Sequence, residues 1–339
     1  MLTSEYLKKQ AHALGADMVG IGSIDRWEGA PIQMDPRQIM PECRSVIGMA
    51  FRVMRGSLRG VEEGTFFSNY SAMGYGGITY LYMPMTVINL CRIIEDDGFE
   101  AIPIGHQSDW RHIGGEGELR PWMSRPVGPG KAAPDVMLHL RIAAYLCGLG
   151  EIGWSKMLLT PKYGPRNRLG VILTEAKLDP DPIYDGPPLC NHCMACVEAC
   201  PGGAIPRDRS VKVTVAGREL VWADVDMPRC DLCFRGAETV DEEPPEGSYS
   251  EKMFGKYTKP GWWSPFKKKP RNLYNTGQAV CGARGCTRAC MIALEGRGVL
   301  ENKFHQPFRR RKPWAVDWSQ PEPPVDNTVA KPQDHHEAD

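Results

Sequence analysis

The sequence predicts an α/β domain followed by a small cysteine-rich domain, and three observations lead to this fold class. Helical and strand-like hydrophobic patterns alternate up to about residue 180. Residues 179–188, DPDPIYDGPP, have the proline and glycine content of a linker. Nine of the 12 cysteines follow that segment. We therefore predict domains at 1–180 and 181–312, an insertion at about 238–278 in the second domain, and an extended or disordered tail at 313–339.

Each element of the first domain has its own local signal. Ser4 suits a helix N-cap, and Leu7 and Ala11 lie on one face of the helix that would follow. Pro84 suits the first turn of a second helix, and Gly98 suits its C-terminal cap. The remaining patterns predict strands at about 17–21, 45–53, 99–104 and 168–174, and a helix at 136–147.

The net charge of the chain and its first residues exclude some classes of protein. The chain has 41 basic and 41 acidic residues, so no net field recruits nucleic acid or an anionic membrane. Residues 1–9 contain neither the apolar stretch of a signal peptide nor a twin-arginine leader. No apolar run approaches the ~18 residues of a membrane-spanning helix. We therefore expect a cytoplasmic protein without a membrane span, in which cysteine serves metal or redox chemistry.

The first cysteine motif is the most specific signal in the chain. Residues 190–201 read CNHCMACVEACP, which is C-x2-C-x2-C-x3-C-P. This is the bacterial ferredoxin pattern, in which three thiolates bind one [4Fe-4S] cluster and the fourth crosses to a second cluster. A zinc site would need only two CxxC pairs and matches the pattern poorly. The motif predicts a ferredoxin-like domain with two [4Fe-4S] clusters.

Five later cysteines compete for the four remaining positions. The spacing C-x4-C-x3-C at 281–290 predicts that Cys290 crosses to the first cluster. Cys233 is then the spare residue, although its exchange with Cys230 stays open. The other three cysteines, Cys43, Cys91 and Cys147, lie in apolar stretches and are predicted core residues. The predicted ligands are Cys190, Cys193, Cys196 and Cys290 for cluster one, and Cys200, Cys230, Cys281 and Cys286 for cluster two.

The segment before this motif carries a family resemblance. Residues 148–153, GLGEIG, match the dinucleotide pattern GxGxxG, but they follow a predicted helix instead of a strand. The longer block 143–178, which includes GLGEIGW and TPKYGPRNRLG, is followed by the ferredoxin motif. This combination resembles the cobalamin-dependent reductive dehalogenase and epoxyqueuosine reductase superfamily. The stretch NYSAMGY at 69–75 resembles the dehalogenase branch.

The resemblance implies a nitroreductase-like domain that binds base-off cobalamin, followed by the two-cluster domain. It implies that Tyr70 donates a proton to the substrate, that Arg166 is the nearby cation, and that His106 is a polar site residue. A buried structural tyrosine and a salt-bridged or cofactor-contacting arginine remain alternative roles for Tyr70 and Arg166. The residues expected to contact the cofactor are Gly148, Gly150, Glu151, Gly153, Tyr163 and Arg168.

The chain also departs from the family pattern. Epoxyqueuosine reductases place an aspartate before the dipeptide that is Ala133-Pro134 here, and this chain has Lys131 and Ala132 instead. The insertion contains several aromatic residues that would form a lid over a substrate pocket or cover the clusters. These aromatic residues are Trp262, Trp263, Phe266 and Tyr274.

The function we expect is a reductase that takes electrons through two [4Fe-4S] clusters to cobalamin and removes a leaving group, halide first, from an organic substrate. Alternatives are reduction of an epoxyqueuosine-like nucleoside, with tRNA as the partner, and a non-catalytic electron-transfer protein. Expected partners are a small organic molecule, a reduced ferredoxin or flavodoxin-like donor, and a second copy of the chain. Basic patches at 256–271 and 308–312 offset an acidic tail and offer a docking face for the donor.

Overall fold

The computed structural model describes residues 2–106, 125–134, 138–239, 246, 258–266, 280–310 and 314–321. Tyr274, both ends of the basic patch at 256–271 and the end of the tail lie outside these residues. The described chain is a mixed α/β structure. Its strands are β1 Met18–Ser23, β2 Ser45–Arg52, β3 Ala101–Ile104, β4 Glu151–Ile152, β5 Leu158–Leu159, β6 Asn167–Thr174, β7 Ser210–Val215, β8 Arg218–Ala223, β9 Ala237–Thr239 and β10 Thr258–Pro260.

Eight α-helices are described. Two stretches of π-helix, Asn69–Gly76 and Ile78–Tyr82, lead directly into the third of them. The helices are α1 Ser4–Ala13, α2 Arg59–Glu63, α3 Met83–Asp96, α4 Leu140–Leu146, α5 Ala195–Glu198, α6 Met227–Phe234, α7 Val280–Arg284 and α8 Cys286–Gly296.

A four-stranded antiparallel sheet with the order β1-β2-β6-β3 forms the centre of the first half. Successive residues of a strand point to opposite faces, and the sheet is covered on both. Ile47 belongs to the core cluster that includes Leu7 of α1 and Val87 of α3. Its neighbour Val46 belongs to the cluster that includes Ile142 of α4. Helices therefore cover both faces of the sheet, which explains why β2 is buried from Ser45 to Phe51.

Glycines in the sheet let the end of α4 approach the strands. A Cβ at Gly20 would lie 1.9 Å from the carbonyl oxygen of Cys147, and a Cβ at Gly48 would lie 2.9 Å from the Cβ of Cys147. Neither position leaves room for a side chain. The backbone after α4 therefore fits directly onto β1 and β2.

The second half shares its core with the first. The β7–β8 hairpin turns at Ala216 and Gly217, whose φ angles of 51° and 67° suit a two-residue turn of the I′ type. Trp222 of this hairpin lies in the same core cluster as α4. Met291 of α8 lies in the same core cluster as α1 and α3. The amino-acid composition thus changes near residue 180, as predicted, but each of the two hydrophobic cores contains residues from both sides of that boundary.

Most predicted elements are confirmed, with shifted ends. The N-terminal helix starts at Ser4, but Thr3 is its cap and accepts a hydrogen bond from the backbone N–H of Tyr6. The helix predicted at 136–147 is observed only as Leu140–Leu146. Its beginning is fixed by His139, whose side chain accepts from the backbone N–H of Ile142. Residues 135–137 lie outside the described chain.

The described structure bears on two further expectations, that the chain has no membrane span and that its tail is extended or disordered. The helical run Asn69–Asp96 is long and apolar enough to cross a membrane by length and composition alone, although 44% of its apolar window is buried inside the protein. Core helices share this property, so it is a weak indication of a span. The tail, expected to be extended or disordered, is docked at its start. Trp314 donates to the carbonyl of Val61 at 2.8 Å, and its ring lies 5.4 Å from that of Phe67.

We predict that Gly20→Ala destabilises the protein by about 3 kcal/mol, because a methyl group there collides with backbone that cannot rotate away. The midpoint of urea unfolding should fall clearly below that of the wild type. Gly56→Ala is the matched control, since a Cβ at Gly56 meets no atom within 4 Å. Equal midpoints for the two variants would contradict the close approach of α4 to β1.

Candidate functional site

Four cysteines predicted for cluster one line a single cavity. They are joined there by Trp154, Leu159 and Leu294, which make its wall apolar. Cys193 is exposed, whereas Cys196 is buried. The cavity-lining cysteines are Cys190, Cys193, Cys196 and Cys290.

The loop between these cysteines is wound tightly. His192 and Met194 have φ angles of 55° and 59°, which side chains other than glycine adopt rarely. The Sγ of Cys190 accepts a hydrogen bond from the backbone N–H of Trp154 at 3.4 Å. The carboxylate of Glu151 accepts from the backbone N–H of Cys190. Strained loop residues and donors aimed at sulfur are features that wrap and tune an iron–sulfur cluster.

The second group contains five cysteines instead of four. Cys281 is hydrogen-bonded to Cys233 and also has Cys230 and Cys286 as charge neighbours. Cys200 is a further neighbour of Cys233 and accepts a hydrogen bond from the backbone N–H of Ala204 at 3.3 Å. The thiol of Cys233 is buried, whereas Cys230 is only half-buried. Cys233 contacts Cys281, whereas Cys230 is the leading cysteine neighbour of Cys286, so both lie near the other thiols of the group. The contact and the burial of Cys233 make it our choice for the fourth thiol, with Cys230 as the spare.

The buried thiols resist ionisation without a metal. Burial raises the pKa of Cys196 to about 11 and that of Cys286 to about 12. Neighbouring cysteines act in the same direction in both cases, because thiolates repel one another. Metal binding would therefore displace protons from these groups. Within the described ranges, no three His, Cys, Asp or Glu side chains are arranged around a single ion. A cubane spreads its ligands over a larger cage.

A second cavity, of about 150 Å³, lies between the first residues of β6 and helix α8. Its residues come from seven helices and strands around the end of the sheet, and from the segments that connect them. The described lining contains no carboxylate. It is formed by Val53, Tyr70, Thr79, Met83, His106, Leu140, Arg141, Met157, Leu158, Pro165, Asn167, Arg168, Leu169 and Thr287. We call this space the sheet-end cavity.

Tyr70 lies in this cavity with 5% of its surface exposed. Its hydroxyl accepts a hydrogen bond from Nη2 of Arg168 at 3.4 Å. Burial raises the pKa of Tyr70, and Arg168 acts against that rise. The phenol is therefore protonated at neutral pH, with a cation beside the oxygen that would carry the charge after proton loss. A Cβ at Gly282 would lie 3.0 Å from the Tyr70 hydroxyl, so the tyrosine also contacts α7 next to Cys281.

The structure does not bring Arg166 to Tyr70. Arg166 is 2% exposed and donates to the carbonyl of Val53 at 2.6 Å and to Oδ1 of Asn302 at 2.9 Å. Burial lowers its pKa to about 10. The cation beside the Tyr70 hydroxyl is instead Arg168, which the resemblance suggests as a cofactor contact. Arg166 instead joins the loop before β6 to the segment after α8.

His106 lines the cavity at its exposed side. Its Nε2 lies 3.3 Å from the hydroxyl of Tyr75, and the guanidinium of Arg168 lies 4.4 Å above the ring of Tyr75. His106, Tyr75, Arg168 and Tyr70 thus form one contiguous series. Phe234 of α6 packs on Tyr75 at 5.3 Å, which connects this series to the helix that carries Cys233.

The other five residues predicted to contact the cofactor lie outside the sheet-end cavity. A Cβ at Gly148 or Gly150 would lie 2.3 Å from the carbonyl oxygen of Pro182 or 2.0 Å from that of Leu159, so these glycines permit close backbone packing. Gly153 lines the cavity of cluster one. Glu151 holds the loop of Cys190, as described above. Tyr163 is buried beneath the guanidinium of Arg52, with 5.7 Å between them. The GLGEIG block therefore supports the cysteine loop and does not line the sheet-end cavity.

The described lining suits a polar ligand. Thr79 Oγ1 and Arg168 Nε are buried and have no hydrogen-bond partner among the described residues. The cavity is smaller than the ~300–1,000 Å³ usual for cofactor sites, but it opens to solvent. These residues fit a small polar molecule, or the polar edge of a larger group such as cobalamin.

Several residues of the site were not predicted from the sequence. Thr79, which lines the cavity, and Tyr75, which contacts Arg168 and His106, belong to the π-helical stretches, whose widened turns no simple periodicity predicts. Thr287 follows Cys286 directly, and its hydroxyl contacts the sulfur of Met157 at 3.5 Å. Its position next to a predicted ligand was the available signal. Arg141 had none, because it lies in an otherwise apolar helix.

The aromatic insertion covers the second cysteine group where it is described. Trp263 is fully buried, and its indole N–H donates to the carbonyl of Cys233 at 3.1 Å. The ring of Phe266 lies 5.4 Å from that of Phe67. Neither residue lines the sheet-end cavity, so covering the clusters is the role that these contacts favour over a lid.

Comparisons with known proteins identify the relatives of the chain. No family model matches it. A tetrachloroethene reductive dehalogenase of Desulfitobacterium hafniense is 38% identical over 231 residues, which are 62% of this chain and 40% of that protein. An epoxyqueuosine reductase of Gloeobacter violaceus is 27% identical over 230 residues, which are 60% of this chain and 61% of that protein.

One similar solved structure is a reductive dehalogenase described as B12-dependent, with a TM-score of 0.44 and 21% identity over 67% of this chain and 28% of that chain. The chain thus spans less than half the length of the dehalogenases it matches. The two named groups of relatives are oxidoreductases. The matches confirm the resemblance: part of the chain is similar to reductive dehalogenases and to epoxyqueuosine reductases.

We predict that Cys233→Ala abolishes cluster two and lowers the iron content of the reconstituted protein by about half, because a [4Fe-4S] cluster needs four thiolates. Cys230→Ala is the matched control, one turn away on the same helix, and should keep its full iron content. Anaerobic iron analysis and the EPR spectrum of the reduced protein measure both variants. The opposite result would return Cys230 to the ligand set.

Proposed function

We propose that the chain is a cobalamin- and iron–sulfur-dependent reductase that removes a leaving group, halide first, from a small organic substrate. The observation that carries the proposal is the position of Tyr70. Its protonated hydroxyl and the guanidinium of Arg168 meet in a cavity whose wall includes Thr287, the residue after Cys286. A proton donor and an electron carrier would therefore reach the same small space.

Electrons would enter at cluster one and leave from cluster two. Cys193 is exposed, so a reduced ferredoxin or flavodoxin-like donor can approach cluster one closely. Cys281 and Cys286 are charge neighbours of Tyr70, so cluster two would lie on the side of the cavity. Cys286 and Cys290 lie one helical turn apart on α8, which would hold the two clusters near each other.

The chain's own residues would supply the proton. Reductive removal of halide replaces a carbon–halogen bond by a carbon–hydrogen bond, and this consumes two electrons and one proton. Tyr70 would donate the proton, and Arg168 would stabilise the phenolate that remains. His106, through Tyr75, would restrain Arg168 from its other side.

Cobalamin, when bound, supplies a strongly reducing cobalt centre for this chemistry. Thr79 Oγ1 and Arg168 Nε are the described atoms that would hold its polar edge or the substrate. The proposed location is the cytoplasm. The proposed assembly is a pair of two copies of the chain.

The experiments described below also distinguish two other functions. Reduction of an epoxyqueuosine-like nucleoside is less favoured, because Lys131 and Ala132 replace the aspartate of that branch. An electron-transfer protein would bind clusters without cobalt.

We predict about eight irons and one cobalt per chain after anaerobic reconstitution with iron, sulfide and cobalamin. Metal analysis gives the ratio, and the visible spectrum should contain cobalamin bands that stay with the protein through gel filtration. Release of halide is then measured with chlorinated and brominated organic substrates. Iron–sulfur absorption without retained cobalt would exclude the reductase and favour the electron-transfer alternative.

We predict that Tyr70→Phe lowers the rate of halide release by at least ~100-fold, because general acid catalysis typically contributes that much. Iron and cobalamin contents should not change. In the wild type, the raised pKa of Tyr70 means that no loss of rate arises from this group until the pH exceeds its ordinary value of ~10.

The control for this experiment is Tyr6→Phe, which removes the hydroxyl of a tyrosine that is 44% exposed on α1. It should leave the rate unchanged. A Tyr70→Phe variant with wild-type turnover would remove Tyr70 from the reaction.

A further inference from the structure

Three charged side chains, Glu62, Arg288 and Arg309, form a triad beside α8, the helix that carries Cys286 and Cys290. Glu62 of α2 has a side chain that is only 1% exposed, yet two arginines reach it. Its Oε1 lies 3.4 Å from Nε of Arg288, and its Oε2 lies 2.5 Å from Nη2 of Arg309. The arginine side chains are 14% and 18% exposed. Arg309 belongs to the basic segment 308–312, which the sequence suggested as a docking face.

The triad sits on the opposite side of α8 from the thiols. Cys286 and Cys290 are four residues apart and therefore share one face of the helix. Arg288 lies two residues from each of them, so it points to the other face. The distance between the triad and the thiols is thus set by the width of one helix, which is ~10 Å.

A second ion pair extends this charged region. Arg55 lies 3.3 Å from Glu295 near the end of α8, and it also donates to the carbonyls of Gln306 and Pro307 at 2.9 and 2.6 Å. The region then contains three arginines and two glutamates. These five side chains carry a net charge of +1, and loss of the charge of Glu62 would raise it to +2.

Stability alone does not explain the triad. Buried ion pairs cost much of their attraction in lost hydration, and apolar replacements of the same size are often as stable. An apolar contact between α2 and α8 would hold the helix equally well. The charge itself is the property that an apolar contact lacks.

We propose that the negative charge of Glu62 offsets the positive charge of one buried arginine beside α8. The charge of Glu62 thereby keeps the reduction potentials of the two clusters low. Reduction adds one negative charge to a cluster. Uncompensated arginines one helix width away would stabilise that reduced state, because buried charges are weakly screened. The inference rests on the proposed function only in that low-potential clusters are what a strongly reducing cobalt centre requires.

The test is a redox titration of the two clusters, followed by EPR, in protein reconstituted without cobalamin or substrate. Glu62→Gln keeps the shape of the side chain and removes its charge. The midpoint potentials should shift upward. The double variant Glu62→Gln with Arg309→Gln restores the net charge of the region, and its potentials should return toward the wild-type values.

Glu219→Gln is the matched control, since Glu219 also forms an ion pair, 3.3 Å from Lys212, but on the exposed β7–β8 hairpin. It should leave the potentials unchanged. Unshifted potentials in Glu62→Gln would overturn the proposal, as would a double variant that shifts further upward. Loss of clusters in both Glu62 variants would show a structural role instead. Because no turnover is measured, these outcomes are independent of the dehalogenation experiment.

Discussion

Helix α8 is the constraint on which the rest of the site depends, because its first five residues contact three regions at once. Cys286 and Cys290 face the cysteine loops, Thr287 lines the sheet-end cavity, and Arg288 reaches Glu62 in the first half of the chain. A rotation that improved one of these contacts would break the others. Met291 and Leu294 place the helix in the core cluster that contains α1 and α3, which holds it in this orientation and connects the fold directly to the placement of the thiols.

The local features of the site could be predicted from the sequence. Cysteine spacing was informative because a cubane imposes its ligand geometry on a few consecutive residues, as in the loop from Cys190 to Cys196. The central strands were equally clear, since β2 and β6 are buried on both faces and read as apolar runs. The position of Tyr70 in a cavity followed from the family resemblance.

The non-local features could not be predicted. Arg166 and Arg168 look equivalent in the sequence, but β6 begins at Asn167, so Arg168 lies within the strand, where it lines the cavity. Arg166 lies in the preceding turn and is bonded to Val53 instead. Trp314 gave no periodic signal in a polar tail, and its hydrogen bond to Val61 depends on an element 253 residues away. Such contacts are decided by tertiary packing, which sequence patterns do not encode.

The bond between Glu62 and Arg309 has a consequence for the order of folding. It joins residues 247 positions apart, so it cannot form until nearly all of the described chain has left the ribosome. Contacts of such long range require the intervening loop to close first and form late. The N-terminal sheet can assemble during synthesis, whereas the region behind α8 is completed only after translation of that helix.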